Sequence, residues 1–365
     1  MNLATKELRR QPRRFGAVGV ALTLLVVLLV VLGGFLDGLE RSQTGAYRAH
    51  EGLLLAFADD ADRQVQRSEV TAAVAEGAAG VEGVAAVGGL DRAFTVAAVD
   101  GELVDIVLFG HDLATDRIPA PSPDAAVVVD AQLRAQTGVS VGDSIDIGAG
   151  GGASGGLEVE VVEVIDDLTQ GAPTVWTTTE RWRELVAAVN PAGVPADGGH
   201  QALVIALDDG ADVDAVRADL ATLGLDAVTP AEAVEALDVV QQQSSTFSGI
   251  IGVTFVVTLL VVALFFALLT LERVDLYAVL KALGASSGEL LRGVSIQAAA
   301  VSVVAVALGM ALALGFVAVL PPELPVRLQG ARLVQIAVGT VLTAVIGSLF
   351  TARRLLRIDP AEAIG

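Results

Sequence analysis

The sequence predicts a membrane protein with four transmembrane α-helices and a large α+β extracytoplasmic domain between helices 1 and 2. Of the 365 residues, 53% are hydrophobic and only 18% are charged, which is unlike an ordinary soluble domain. Four apolar runs reach the length of about 20 residues that a helix needs to cross the hydrocarbon core of a bilayer. These runs are Phe15–Leu36, Gly249–Leu271, Val294–Leu320 and Leu333–Phe350.

The four runs divide the chain. In order, we predict a cytoplasmic lead-in helix (1–14), transmembrane helix 1 (15–36), an extracytoplasmic domain with a stalk (37–247), transmembrane helix 2 (248–271), a cytoplasmic coupling hairpin (272–292), transmembrane helix 3 (293–320), an outer turn (321–332), transmembrane helix 4 (333–351) and a cytoplasmic tail (352–365).

The first apolar run follows five basic residues, as the core of a signal peptide would. Its length argues against that interpretation, because such cores span about 7–15 residues and end at a small-residue cleavage site. Here the run continues through Gly33 and Gly34 to Leu36 and then meets Asp37. We therefore expect an uncleaved membrane anchor.

The positions of Lys and Arg predict the orientation, since basic residues near span ends favour the cytoplasmic side. They cluster in the N-terminal segment, after the second run (Arg273, Lys281, Arg292) and after the fourth run (Arg353, Arg354, Arg357). Both termini and the hairpin should be cytoplasmic. Residues 37–247, with 10 Lys/Arg against 36 Asp/Glu, should then lie outside. This acidity disfavours nucleic-acid binding and favours a solvated surface, although it would also attract a cationic substrate.

Short β-rich runs and amphipathic runs alternate in the large segment, which predicts an α+β domain. The sequence Asp100-Gly101 is a hairpin signal between two of the strands. We expect strands at Leu53–Phe57, Thr95–Val99, Leu103–Phe109, Ala126–Val129, Ser144–Ile147, Glu158–Ile165, Pro173–Thr177 and Leu203–Leu207, and helices at Ser68–Ala79, Ala131–Thr137, Glu180–Val189 and Val213–Leu223.

The sequence Thr229-Pro230-Ala231-Glu232 is a capping box with proline at the first helical position. The helix that starts there either runs straight into transmembrane helix 2 as a stalk or bends near Ser248-Gly249. The sequence does not decide between these alternatives.

The segment between helices 2 and 3 predicts a helical hairpin. Leu276, Val279, Leu280 and Leu283 share one face at helical spacing, and Gly284 stands where glycine commonly ends a helix. Ser286 and Glu289 form a capping box that starts the next helix.

Residues that would carry chemistry of the chain's own are not arranged in any recognisable pattern. The chain has no Cys, and His50, His111 and His200 are far apart, which favours ordinary surface or loop histidines. The Gly-rich tract 148–156 lacks the Lys-Ser/Thr ending of a phosphate-binding loop, so we expect a flexible loop tip. The apolar runs hold no ionisable residue, which disfavours an ion-driven transporter. We therefore expect no cofactor, metal or catalytic residue.

The spans instead carry small and weakly polar residues. Small residues four apart suit close helix packing, and they are Gly309/Ala313, Ala311/Gly315 and Gly339/Thr343/Gly347. The polar side chains of Thr254, Thr258, Gln297 and Ser302 would bond across helices or face a substrate, and packing is the commoner role.

The hairpin residues Glu272, Arg273, Asp275 and Leu280 through Ser286 resemble a segment shared by FtsX-like permeases of MacB-type ABC transporters. The tail Ala352-Arg353-Arg354 with Asp359-Pro360-Ala361-Glu362 is similar to the tail of that family, and the N-terminal Lys6–Gly16 resembles its DevC and HrtB branch. Ala126–Asp130 with Val141–Ile145 is similar to the family's core extracytoplasmic domain.

The resemblance implies the permease subunit of a prokaryotic cell-membrane ABC transporter, without enzymatic activity of its own. It implies a separate ABC ATPase as partner, a second permease copy as in a homodimer, contact with membrane lipid, and export of a substrate. The ATPase-coupling residues would be Glu272, Arg273, Asp275, Leu280, Lys281, Leu283, Gly284 and Ser286. The alternative is a mechanotransducer of the FtsX type that transports nothing and regulates a cell-envelope hydrolase. A haem substrate is disfavoured, because among the haem-ligating residue types the spans contain only Met310.

Overall fold

The computed structural model describes residues 12–119, 126–148, 156–272, 279–281, 283, 285–320, 324 and 326–352. The elements in chain order are α1 Pro12–Arg48, β1 Leu54–Ala58, α2 Ala72–Ala79, β2 Val84–Val99, β3 Glu102–His111, β4 Ala126–Asp130, α3 Ala131–Thr137, β5 Ser144–Ile147, β6 Leu157–Ile165, β7 Thr174–Thr177, α4 Thr179–Val189, β8 Ala202–Leu207, α5 Val213–Thr222, β9 Leu225–Val228, α6 Pro230–Glu235, α7 Asp238–Leu271, α8 Ser287–Val317 and α9 Gly330–Ala352.

The chain forms two compact units. One comprises Met1–Leu39 with Gln243–Gly365, and the other comprises Glu40–Gln242. We call them the helical unit and the sheet domain. The predicted fold class is confirmed, since α1, α7, α8 and α9 are long and apolar enough to cross a membrane and the α+β domain lies between the first and second of them.

The helical unit is held together by two apolar clusters. Val18 and Leu22 of α1 pack with Phe266 and Leu269 of α7 and with α8 in the first cluster. The second contains Val26, Leu29 and Val30 of α1 together with Val306 and Ala313 of α8 and Ile336 of α9. Large apolar side chains also cover the exposed faces of α7, α8 and α9, as expected of helices that contact lipid.

Two of the three predicted small-residue patterns lie at close helix contacts. A Cβ on Gly309 would stand 2.7 Å from Val26 of α1, and one on Gly347 would stand 3.0 Å from the Leu259 oxygen of α7. Gly315 has open space around it, so Ala311/Gly315 is not a packing contact among the described residues.

Three of the four weakly polar side chains bond within their own helices. Thr254 donates to the Ile250 oxygen at 2.8 Å, Thr258 donates to the Thr254 oxygen at 2.8 Å, and Ser302 donates to the Ala299 oxygen at 3.0 Å. These bonds satisfy the hydroxyls without a partner helix.

One half of the sheet domain has the β-α-β-β-α-β topology of a ferredoxin-like fold. Its strands lie in the order β2, β8, β1, β9, with β8 antiparallel to β2 and to β1, and β9 antiparallel to β1. Helices α2 and α5 contribute Ala78, Val216 and Leu220 to a core with the strand residues Leu54 and Ile205.

The other half is a closed barrel inserted between β2 and β8. Six strands follow one another in the order β2, β3, β7, β4, β6 and β5, and β5 pairs with β2 again. The second part of the long strand β2 belongs to the barrel and its first part to the ferredoxin-like half, so one strand joins the two cores. Helix α4 packs Trp182, Leu185 and Val186 into the barrel core.

The eight predicted strands and four predicted helices of this domain are confirmed, with ends displaced by a few residues. The turn Asp100-Gly101 has both residues at positive φ, 50° and 84°, as an Asp-Gly hairpin turn requires. Sequence analysis missed the first part of β2 and the whole of β9. Those segments are rich in Ala and Gly or only four residues long, so their strand propensity is low and the neighbouring β8 and β1 decide their conformation.

The region after Thr229 differs from both predicted alternatives. The Thr229 capping box with Glu232 is present, but α6 ends at Glu235 and α7 begins at Asp238 and continues unbroken past Ser248 and Gly249. No glycine or proline marks the interruption at 236–237. Val234 and Val240, one on each side of it, are both buried in the same apolar core, and this packing sets the break.

Candidate functional site

The predicted coupling hairpin begins where α7 ends. The Glu272 N–H donates to the Leu268 oxygen at 3.0 Å, which adds one more bond beyond the last residue of α7. Residues 279–281 are helical, and the Leu283 N–H donates to the Val279 oxygen at 3.0 Å. Arg273, Asp275 and Gly284, which the sequence assigns to this site, lie outside the described residues.

The second half of the hairpin has the geometry that the sequence predicts. The Ala285 N–H donates to the Leu280 oxygen at 2.9 Å, which is the six-to-one bond of a Schellman helix ending. Ser286 then caps α8: its hydroxyl accepts from the Glu289 N–H at 3.2 Å, and its own N–H donates to the Glu289 carboxylate at 2.9 Å. One helix thus ends and the next begins within a few residues, and hydrogen bonds hold both helix ends in place.

The apolar face predicted for the hairpin is divided in the structure. Leu280 packs against the cluster of Val18, Phe266 and Ala298, so it is anchored on the helices. Val279 and Leu283 point away from that cluster and are 52% and 79% exposed. Leu276 lies outside the described residues, so the shared face stays a prediction; of its described members, only Leu280 packs against the spans. Glu272 is exposed and Lys281 is partly exposed.

A second candidate site lies in the sheet domain, where the end of α1 meets the loop of residues 166–171. Asp167 is almost buried and accepts from Arg41 Nε at 2.9 Å and from Arg48 Nη1 at 3.0 Å, with Arg117 Nη2 at 3.6 Å. Burial opposes ionisation of Asp167, but the hydrogen bonds from Arg48 and Arg41 outweigh it and hold the pKa well below its usual range. Asp167 is therefore a charged anchor for α1.

Backbone contacts reinforce this anchor. The Gly45 N–H donates to the Thr169 oxygen at 2.9 Å, and the Gly171 N–H donates to the Ser42 oxygen at 2.7 Å. A Cβ on Gly45 would stand 2.4 Å from the Leu168 carbonyl carbon and 2.5 Å from the Thr169 oxygen, so only glycine allows this approach. We call Arg41, Gly45, Arg48 and loop 166–171 the α1 clamp.

The helical unit has an ion pair of its own. Arg332 Nη2 lies 2.6 Å from Asp37 Oδ1, and the Asp37 side chain is 2% exposed. Beside it, the Arg327 N–H donates to the Gly34 oxygen at 2.8 Å. The pair joins α1 to the first turn of α9. The apolar runs predicted from the sequence stop at residue 36 and begin again at 333, so both charges lie just beyond their ends.

The expectation of surface histidines was wrong. His50 and His111 are buried on either side of Trp176, with ring centroids 6.0 Å and 5.6 Å from it, and His200 binds Asp91 at 3.0 Å. Burial lowers the pKa of His111 and, despite a hydrogen bond to the Ala46 oxygen, lowers that of His50 to about 4. No three or more His, Asp or Glu side chains within the described ranges are placed to hold a metal ion.

His50 should make the sheet domain less stable in acid. Its folded pKa of about 4 lies below the unfolded value near 6.5, so the unfolded chain binds more protons and stability falls as pH drops from about 6.5 to 4. We expect His50→Gln to remove roughly 2 kcal/mol of that loss. Thermal unfolding of the full chain at pH 7.0, 5.5 and 4.5 measures it, with His200→Gln as control. An unchanged pH slope in His50→Gln would contradict the assignment.

The Asp37–Arg332 pair and the α1 clamp were missed by sequence analysis. Gly45, near the end of a long helix, is the one local signal that could have indicated the α1 clamp. Glycine destabilises a helix by about 1 kcal/mol relative to alanine, so its presence there suggests a close contact. Residues 149–155 of the Gly-rich tract, predicted as a flexible loop tip, lie outside the described residues.

The family model and the relatives that this chain resembles are all described as permeases. Residues 248–360 match the family model "FtsX-like permease C-terminal". The chain is 30% identical over 111 residues to "Putative hemin transport system permease protein HrtB" of Staphylococcus haemolyticus, a match that covers 30% of this chain and 32% of that relative. The chain thus spans about a third of the length of the HrtB proteins it matches.

A longer match is with an "Uncharacterized ABC transporter permease" of Mycobacterium tuberculosis, at 29% identity over 249 residues, 67% of this chain and 63% of the relative. Among solved structures, the periplasmic region of MacB from Actinobacillus actinomycetemcomitans aligns with a TM-score of 0.37 at 11% identity, over 50% of this chain and 92% of that one. The extracellular domain of YknZ aligns with a TM-score of 0.34 at 15% identity, over 47% and 91%.

Proposed function

We propose that this chain, an ABC transporter permease of the FtsX/MacB family, couples ATP hydrolysis by a separate ATPase subunit to a conformational change of its sheet domain and exports a substrate. In this proposal the segment 272–292 receives the motion of the ATPase. A second copy of the chain completes the permease, and the chain itself catalyses no reaction.

The proposal places both termini and segment 272–292 on the cytoplasmic side and the sheet domain outside. The distribution of charge supports this orientation, because basic residues are most numerous in the termini and in segment 272–292, while residues 37–247 hold 36 acidic and 10 basic side chains. An ATPase supplied from the cytoplasm can then reach the segment.

The main support for the proposal is the difference in exposure among the apolar residues of segment 272–292. Leu280 is packed into the helices, whereas Leu283 is among the most exposed large apolar side chains of the described residues. Among the described residues of the segment, Leu280 is anchored while Val279 and Leu283 are exposed, which suits docking of a partner, since exposed apolar side chains that cluster mark interaction surfaces. The helix ending before Ala285 and the helix cap at Ser286 would make this part of the segment stiff.

The substrate is not named by this surface. HrtB is described as a hemin transport permease, but among the residue types that ligate haem the four spans of this chain hold only Met310, and Met310 packs within an apolar cluster. We therefore propose a substrate other than haem.

Leu283→Ser tests the coupling surface. Because the side chain is exposed, the change should leave folding intact, but removal of an apolar docking contact should reduce the ATPase rate that the permease stimulates by about fivefold to tenfold. The measurement uses the purified complex of the permease with its proposed ABC-type ATPase partner, reconstituted in proteoliposomes. Val319→Ser, at an equally exposed apolar position (77%) beyond the other end of α8, is the matched control.

A stimulated rate that falls only in Leu283→Ser, with less ATPase retained on the permease, supports the proposal. Equal rates in both variants would reject segment 272–292 as the coupling surface. Stimulation without substrate movement into or out of the vesicles would reject export.

A further inference from the structure

The barrel of the sheet domain has a gap along β2. Strand β8 pairs with β2 as far as Leu90, and β5 pairs with it from Ala97, so no described strand pairs with residues 91–96 on that side. The Arg92 N–H is instead satisfied by the Gln201 side chain at 2.7 Å, and the Val96 oxygen accepts from the Gly148 N–H at 2.8 Å. By the alternation of an antiparallel pair, the N–H and C=O of Phe94 face the same gap.

A cavity of about 170 Å³ occupies this gap. Its apolar wall is formed by Leu108 of β3 and by Leu185 and Val186 of α4. Arg92 and Asn190 supply polar groups at its edge. A cavity of about 150 Å³ admits a benzene ring, so this one has room for a ring or a short branched alkyl group. Because α4 covers the gap, an added peptide strand would collide with it.

Arg92 is the informative residue of the cavity. Its guanidinium lies over the Phe94 ring, 4.3 Å from the centroid, and no carboxylate among the described residues pairs with it. The neighbouring Asp91 carboxylate is directed to His200 Nδ1 at 3.0 Å and to the Gln201 N–H at 2.7 Å. Burial lowers the pKa of Arg92. A partly buried cation without an anion is costly, and it is unexpected where acidic residues outnumber basic ones.

Phe94 adds a second unusual feature, because this large aromatic side chain is 66% exposed although it lies on strand β2 of the sheet domain. An aromatic ring stacked on a guanidinium forms a flat platform that is apolar on one side and cationic at its edge.

We propose that this cavity binds a small carboxylate that carries an apolar group of about the size of a benzene ring. The carboxylate pairs with the Arg92 guanidinium, with the Asn190 amide as a further donor, and the apolar group lies against Leu185 and Val186. Charge complementarity selects this class of ligand, since the bound anion neutralises the unpaired cation. The proposal does not depend on segment 272–292 or on transport.

Binding of 3-phenylpropionate to the full chain in nanodiscs tests the proposal, measured by saturation-transfer NMR with empty nanodiscs subtracted. We expect binding by the wild-type chain and at least about tenfold weaker binding by Arg92→Gln, since the charged hydrogen bond is lost. The neutral 3-phenylpropanol should also bind at least about tenfold less well. Arg67→Gln, an exposed arginine of the same domain, should bind as the wild type does.

A second variant tests the same cavity independently, in case Arg92→Gln does not fold. Val189→Phe adds bulk to the lining of the cavity without changing its charge and should abolish binding, while a cooperative unfolding transition shows that the sheet domain is still folded. The proposal is overturned if the wild-type chain does not bind the probe, if Arg92→Gln binds equally well, if the alcohol binds as tightly as the acid, or if a capped neutral apolar peptide binds instead.

Discussion

Gly45→Ala is expected to lower the unfolding temperature of the sheet domain by roughly 5–10 °C. The new methyl group would stand 2.4 Å from the Leu168 carbonyl carbon and 2.5 Å from the Thr169 oxygen. Both are backbone atoms, which cannot rotate aside as a side chain would. The end of α1 must then retreat from loop 166–171 and lose the bond from the Gly45 N–H to Thr169.

Intrinsic tryptophan fluorescence measures this change selectively. The chain has two tryptophans, Trp176 and Trp182, and both are buried in the sheet domain. Their emission therefore reports unfolding of this domain and not of the membrane helices. The full chain in detergent or nanodiscs is heated while the emission is recorded.

The matched control is Gly19→Ala in the same helix. No atom lies within 4 Å of a Cβ at Gly19, so alanine should be tolerated there and should favour the helix by up to about 1 kcal/mol. If Gly45→Ala unfolds at the temperature of Gly19→Ala, the α1 clamp does not depend on close backbone contact.

Asp167→Asn should destabilise the sheet domain by about 2–4 kcal/mol at pH 7, because it leaves partly buried arginines without their anion. Asparagine has nearly the shape of aspartate, so packing is unchanged and the effect isolates the charge. Arg41 and Arg48 lose their ion pairs, and Arg117 loses a weaker one. Denaturant unfolding followed by tryptophan fluorescence gives the difference in free energy.

The pH dependence of this effect distinguishes charge from packing. The folded pKa of Asp167 lies below its unfolded value, so its contribution is complete above the unfolded pKa of about 4 and is lost as pH falls below that. Wild type and Asp167→Asn should therefore converge in stability as the solution is acidified below pH 4. A difference that stays constant with pH would attribute the effect to packing.

Asp62→Asn serves as the control. Asp62 pairs with Arg67 at 2.8 Å, but both side chains are more than half exposed, and exposed pairs contribute little because water already solvates the charges. No change in the unfolding midpoint is expected there. If Asp62→Asn and Asp167→Asn changed the unfolding midpoint equally, the charge of Asp167 in the α1 clamp would contribute no more to stability than the charge of an exposed carboxylate.

The local elements of this protein follow from its sequence. The predicted strand Glu158–Ile165 alternates charged and apolar residues and is a strand at Leu157–Ile165. Both capping boxes are present as predicted, since the Thr229 and Ser286 hydroxyls each need only a Glu three residues later. These features depend on neighbours within one or two turns, and the sequence contains all of those neighbours in order.

The sequence reached only part of the candidate coupling site. It located the helix ending before Ala285 and the cap at Ser286, because both are local. It did not separate Leu280 from Val279 and Leu283, because the packing partner Phe266 belongs to another helix. Whether a leucine is an anchor or an exposed contact depends on what faces it, not on its identity.

By itself the sequence determined the membrane class, the four apolar helices, the α+β nature of the domain between the first two and the local caps and turns. Only the tertiary structure decided the closure of the barrel, the clamp between Gly45 and Thr169, the pairing of Asp37 with Arg332 and the isolation of Arg92. The physical reason is distance along the chain. The apolar patterns of strands and helices repeat every 2 and 3.6 residues, so they can be recognised from neighbouring positions. The partner of Asp37, in contrast, is 295 residues away, and only the packing of the helices brings it close.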